Sequence, residues 1–186
     1  AAEMITKLAD AEKTFLTVST SADLTRGNTQ HGYLWSMVET DITQCEVLLS
    51  KALDYGAKRV SLLTLENNSY SQTFVDWFSF QAGELGLEVT GIHLYNEQNV
   101  TEVSQRACDE ETDYIICVPA TVEEVQWICE AFQKYDATHP FSPKKLFGDT
   151  AYGSDVINKY AKYVEGIEGV TFGADPELSL IHISEP

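Results

Sequence analysis

The chain has 186 residues, 44% of them hydrophobic and 22% charged, a composition of globular rather than disordered sequences. Its formal net charge is -17, from 29 acidic and 12 basic residues. A chain so acidic repels phosphate backbones, which argues against nucleic-acid binding, and no apolar run approaches the roughly 20 residues that a bilayer-spanning helix needs.

Residues 1–13 read as the end of a helix, with Met4, Ile5, Leu8 and Ala9 on one face. Residues 14–18 are a predicted strand that empties into a hydroxyl-rich loop, Ser19-Thr20-Ser21-Ala22-Asp23. Polar turn material over 26–32 leads to a second strand, YLWSMV, at 33–38. Asp41 and Gln44 have the spacing of a capping box, and the helix after them carries Ile42, Cys45, Leu48, Leu49, Ala52 and Leu53 on one face until Gly56 ends it.

The stretch KRVSLLTLENNSYSQTF, 58–74, sets the pattern for the rest of the chain. An apolar strand at 60–65 is broken by Glu66, Asn67 and Asn68, and Ser69 with Gln72 reads as the cap of a helix burying Phe74, Trp77, Phe78, Ala82 and Leu85. The unit then repeats. A strand is expected at 87–95, a helix capped by Asn99 and Glu102, a fully apolar strand at 114–118, and a helix capped by Thr121 and Glu124. A short strand at 145–148, a helix at 154–164 and a last strand at 169–173 complete it. Strict alternation of strands and helices predicts an α/β fold: a Rossmann-like parallel sheet with helices on both faces and every strand's carboxyl end on one edge. Open sheets of this kind bind ligands at that edge.

The candidate residues each admit two readings. Ser19, Thr20 and Ser21 offer donors for a carboxylate, or simply form a turn. Tyr70 either covers a ligand or packs on its helix; Asp149 and Thr150 either hold a cationic group or cap a turn. Glu66 stands where a phosphoacceptor would, but without the acidic pair and lysine of that chemistry it reads as a solvated turn residue. No GxGxxG, GxxxxGK[ST] or GxSxG occurs, so no dinucleotide, nucleotide or hydrolase loop is indicated. Cys45, Cys108, Cys117 and Cys129 form no CxxC and read as small buried hydrophobes; His31, His93, His139 and His182 lack ligand spacing, so neither metal nor cofactor is expected.

The order of Ser19-Thr20-Ser21-Ala22-Asp23-Leu24-Thr25, then YLWSMVETDITQ, then AKRVSLLTLENNSYSQTF, resembles the type I periplasmic binding fold. More narrowly it resembles the branched-chain amino-acid (Leu/Ile/Val) binding proteins of ABC importers. DYIICVPATVEEVQWICEAF and LFGDTAYGSDVINKYAKYVEGIEGVTFGADPE resemble later segments of those proteins, so the likeness runs over nearly all of 1–177. It implies a non-enzymatic, extracytoplasmic solute-binding protein, periplasmic or anchored as a lipoprotein. Its partners would be a small polar solute, with an amino acid among the candidates, and a transporter permease. The implied organisation is a partial first lobe at 1–39, a second lobe at 40–167 and a return crossing at 168–177, with Ser19, Thr20 and Ser21 facing Tyr70, Thr121, Asp149 and Thr150 across the cleft.

The family's ammonium-binding acid commonly lies two residues after a strand-ending glycine; Thr150 stands there in this chain, with Asp149 one place earlier. The alternatives are a ligand-sensing receptor or regulator domain of the same fold, or a flavodoxin-like enzyme domain. The tail LSLIHISEP, 178–186, resembles a translated sequencing adapter and is set aside from fold reasoning, and the chain is expected to be a fragment that binds its solute poorly by itself.

Overall fold

The computed structural model describes residues 7, 8, 10–18 and 32–171. Ser19, Thr20 and Ser21, the end of the expected last strand and the adapter-like tail lie outside the described residues. Within them the chain forms two parallel sheets. Strand β1 (Phe15–Thr17) pairs with β2 (Leu34–Ser36), Leu16 lying opposite Trp35.

The larger sheet contains β3 (Arg59–Leu65), β4 (Glu88–Tyr95), β5 (Tyr114–Val118), β6 (Lys144–Phe147) and β7 (Glu168–Gly169). Its order is β4-β3-β5-β6-β7, and every pairing is parallel. Helices α1 (Asp41–Asp54), α2 (Ser69–Glu84), α3 (Val100–Asp109), α4 (Val122–Asp136) and α5 (Ser154–Val164) precede or join these strands. The step from β3 to β4 runs one way along the sheet, and all later steps run the other way. Right-handed crossovers therefore put α2 on one face and α3, α4 and α5 on the opposite face.

The burial pattern records this layering. Cys45, Leu48 and Leu49 of α1 and Phe74 and Phe78 of α2 pack with Val60, Leu62, Ile116 and Leu146. On the other face Val103 and Ala107 of α3, Ile128 and Phe132 of α4 and Val156 of α5 pack with Leu63, Ile115, Cys117 and Phe147. Strand β5 is buried at every position, as its unbroken apolar run requires of a strand covered on both faces. All four cysteines are unpaired and buried, and burial pushes the thiols of Cys45 and Cys129 up to about 12.

Among the described residues the elements from β1 to α5 fall where the sequence pattern puts them, but three of the four expected caps differ. The N-cap of α1 is Thr40, without a side-chain bond, so Asp41 and Gln44 form no capping box. The cap of α2 is Asn68, whose side chain accepts from the Tyr70 and Ser71 N–H groups, and Gln72 turns instead to Asp76. Asn99 does hold the N-cap place of α3, but its carboxamide oxygen accepts from Asn96 N. Thr121 does cap α4 as expected, its hydroxyl oxygen accepting from Glu124 N, while the Glu124 carboxylate accepts from the Thr121 hydroxyl and Ala120 N instead of from Thr121 N. The misplacement on α2 has a local cause. Asn67 takes the left-handed region at φ 55, which asparagine tolerates, and the turn therefore ends one residue early with Asn68 facing the helix start. Strand β7 is shorter than expected, and Gly169 is required where its Cα meets the Phe147 backbone.

Leu62 is fully buried and Leu94, on the edge strand β4, is 40% exposed. Leu62→Ala should lower unfolding stability in urea by about 3 kcal/mol; Leu94→Ala should cost under about 1 kcal/mol. Equal effects would mean that β3 is not an interior strand.

A carboxylate ties the amino ends of β3 and β5. Asp113 Oδ2 accepts from Lys58 N at 2.9 Å and Arg59 N at 2.8 Å. These backbone donors, Lys58 first, hold the Asp113 carboxyl below its ordinary range, with the Arg59 charge adding to them. A depressed native pKa contributes stability that is complete above the unfolded value of about 3.9 and is lost as pH falls through the native value. The melting-temperature gap between wild type and Asp113→Asn should therefore be widest near neutrality and close below about pH 4. A gap that stays constant through that window would assign the effect to something other than the charge.

Candidate functional site

The order β4-β3-β5 contains the sheet's switch point: from β3 the chain first moves one way, then returns past it. In open sheets adjacent loops diverge at such a point, and ligands are taken at the carboxyl edge beside it, here the edge of β3 and β5. The loops at this edge are 66–68 after β3, Pro119 and Ala120 after β5, and Gly148 to Thr150 after β6.

Two polar clusters occupy the edge. In the first, Tyr70 from the first turn of α2 donates its hydroxyl to Asp149 Oδ1 at 2.9 Å, and Gln44 Oε1 lies 3.1 Å from the same phenol oxygen. Asp149 opens a 3-10 turn (Asp149–Tyr152) directly after β6. Since β6 lies two places from β3 in the sheet, the phenol reaches across the end of β5. Burial, then the charge and hydrogen bond of Asp149 and the charge of the buried Asp41, push the Tyr70 phenol far above its ordinary range, while the Thr150 hydroxyl acts in the opposite sense. The phenol thus stays protonated and remains a donor. Its ring packs edge-on against Phe74 at 5.2 Å.

The second cluster centres on Glu124, which is 2% exposed. Its Oε2 accepts from Tyr95 Oη at 2.6 Å and from Ala120 N at 3.0 Å, and its Oε1 accepts from the Thr121 hydroxyl at 2.8 Å. One buried carboxylate so joins the last residue of β4, the loop after β5 and the cap of α4. Burial and then the Glu124 charge keep the Tyr95 phenol protonated, far above its ordinary range. The turn beside it is tied as well: Glu66 accepts from Asn96 Nδ2 at 2.7 Å, and Glu66 N donates to Tyr95 O. Glu66 is therefore a link between two loops rather than a freely solvated residue.

The structure brings Tyr70, Asp149 and Thr150 together. Thr121 stands at the same edge, exposed, with its hydroxyl committed to the cap of α4. Ser19, Thr20 and Ser21 are outside the described residues. Gln44 and Glu124 belong to the site's framework, whereas their spacing in the sequence marks them only as capping partners. For Gln44 the overlooked signal was Gly148. Its φ of -69 is open to any residue, so what it provides is space: a Cβ there would lie 2.7 Å from Gln44 Oε1. A cavity of about 590 Å³ lies elsewhere, near the amino ends of β5 and β6, lined by Tyr114, Phe132, Lys144, Lys145 and Tyr163. It shares no residue with the carboxyl-edge clusters.

No protein-family profile matches the chain, and no curated protein matches it. Solved structures do. The leucine-binding protein LivK of Thermotoga maritima superposes with a TM-score of 0.73 at 21% identity, over 96% of this chain and 51% of that one. A solute-binding protein of an ABC transporter from R. palustris, in complex with 4-hydroxybenzoate, gives a TM-score of 0.69 at 15% identity, over 100% of this chain and 52% of that one. A type 1 periplasmic binding protein from Bordetella pertussis gives 0.69 at 12% identity, over 89% of this chain and 45% of that one. The chain has the type I periplasmic binding fold and spans about half the length of the structures it matches.

Glu124→Ala would leave the Tyr95 hydroxyl and the Ala120 N–H buried without an acceptor. It should destabilise the chain by about 2–4 kcal/mol in chemical denaturation. Glu123→Ala, at an exposed neighbouring position, should change it by less than about 0.5 kcal/mol. A mild effect of Glu124→Ala would show that the carboxylate does not hold these loops.

Proposed function

We propose that the chain is part of an extracytoplasmic solute-binding protein of an ABC importer, which closes on a small polar solute between two lobes and passes it to a permease without chemical change. The observation that carries this reading is the half-buried Asp149 carboxylate at the sheet's carboxyl edge. One of its oxygens is already held by the Tyr70 hydroxyl, and Thr150 stands beside it. A carboxylate fixed in this way favours a cationic or donor group of the solute. Ser19, Thr20 and Ser21, with hydroxyl and N–H donors and no charge, suit a carboxylate at the solute's other end. An α-amino acid carries both groups, so an amino acid is the solute class proposed. The likeness to a leucine-binding protein supports that choice; the likeness to a 4-hydroxybenzoate complex supplies the competing class, an aromatic acid without an ammonium. Thr121, exposed at the same edge, is proposed to border the solute.

The test is calorimetric titration of the longest polypeptide that the gene encodes with the chain in place. Ligands would be L-leucine, the other amino acids and 4-hydroxybenzoate. An amino acid should bind, and Asp149→Asn should weaken it about a hundredfold, on the order of 3 kcal/mol, since the ammonium would lose its buried partner. Thr20→Ala should cost less, about 1 kcal/mol. Unchanged affinity in Asp149→Asn would refute the ammonium site, and tight binding of 4-hydroxybenzoate alone would move the solute class to aromatic acids.

A further inference from the structure

We propose that Gln44 is the positioning residue that holds the Tyr70 phenol on Asp149, and that Gly148 lacks a side chain in order to admit it. The consequence for solute binding rests on the function proposed above; the geometric claim does not.

The phenol oxygen of Tyr70 has Asp149 Oδ1 at 2.9 Å and the Gln44 carboxamide at 3.1 Å, yet a phenol has a single proton. The charged acceptor takes it, because a hydrogen bond to a carboxylate is shorter and stronger than one to a neutral amide. The carboxamide is then attracted to the phenol oxygen only if it presents its N–H side. That orientation exchanges the two carboxamide positions, and Gln44 Nε2, otherwise buried without a hydrogen-bond partner, gains an acceptor. The result is a directed chain, Gln44 N–H to Tyr70 oxygen and Tyr70 O–H to Asp149, in which the amide fixes which way the phenol proton points.

Space supports the same assignment independently. Gln44 is 2% exposed, so its carboxamide cannot swing out to solvent. A Cβ on residue 148 would stand 2.7 Å from its oxygen position and 3.7 Å from the Tyr70 hydroxyl. The glycine after β6 is thus matched to a glutamine on α1, and both serve a tyrosine on α2.

The test uses tyrosine labelled with carbon-13 at Cζ in the ligand-free chain, the Tyr70 resonance being the one lost in Tyr70→Phe. Asp149→Asn should move that resonance in the wild type. In a Gln44→Met background, which keeps length and volume but removes the amide, Asp149→Asn should move it little, because the phenol is no longer held there. Gly148→Ala should behave like Gln44→Met. Gly148→Ala with Gln44→Ala should regain the melting temperature lost by Gly148→Ala while leaving the coupling lost, which separates positioning from packing. In titrations of the longest encoded polypeptide with L-leucine, Gln44→Met should weaken binding at least fivefold, and Gln44→Met with Tyr70→Phe should be no weaker than Tyr70→Phe alone. An Asp149→Asn shift that persists undiminished in Gln44→Met overturns the proposal. A wild type that binds no solute overturns the functional reading instead, and the ligand-free resonances still decide the role of Gln44.

Discussion

Strand β3 is hydrogen-bonded along both edges, to β4 on one side and β5 on the other, and the remaining features of the site derive from that double pairing. With parallel neighbours on both edges, the crossover from β3 to β4 and the return crossover from β4 to β5 put α2 and α3 on opposite faces. Parallel pairing also brings the loops after β3, β5 and β6 to one edge. Thr64 reinforces the join, its hydroxyl donating to Val118 O at 2.8 Å just below that edge. Leu62 and Leu63, on alternate faces of the same strand, anchor the two apolar layers. The interior of the sheet and the edge that carries the polar clusters are therefore one piece of structure.

At that edge the chain places acid where acid is costly. Asp41 and Glu124 are both buried, and Asp149 is half-buried. Burying a carboxylate is tolerable only with donors around it. Glu124 has three, drawn from β4, from the loop after β5 and from α4, and it acts as a clamp. Asp149 has the Tyr70 hydroxyl. The two carboxylates differ: Glu124 is held by three donors and ties the loops together, whereas Asp149 keeps spare acceptor capacity. Two tyrosines serve as the donors, and in each case burial and the neighbouring negative charge keep the phenol protonated.

Much of this was legible in the amino-acid order. Runs such as YIICV, alternation of strand and helix, and glycines closing the helices at Gly56 and Gly86 are short-range signals. They reflect chain stereochemistry and the need to bury apolar faces, so they locate the described elements from β1 to α5 to within a residue or two, but not the end of β7. Asp149, Thr150 and Tyr70 were visible for the same reason: each follows a strand end closely, and parallel strands gather such positions on one edge. Caps were read less well. Asp41 with Gln44 and Ser69 with Gln72 have the right spacing for a box, but spacing does not say where a side chain finds its strongest partner.

The sequence by itself determined the class of fold, the two apolar faces of the sheet and the edge at which polar loops would gather, because these depend on periodicity and local turn chemistry. Only the tertiary structure decided that β3 lies between β4 and β5, that Gln44 turns from its own helix start to Tyr70, and that Glu124 joins β4 to α4. The physical reason is that these partners are distant in sequence. Gln44, Tyr70 and Asp149 come from α1, α2 and the turn after β6, and nothing in the local pattern of any one of them names the other two. Their meeting depends on strand order and on the space left by Gly148, which exist only once the sheet has formed.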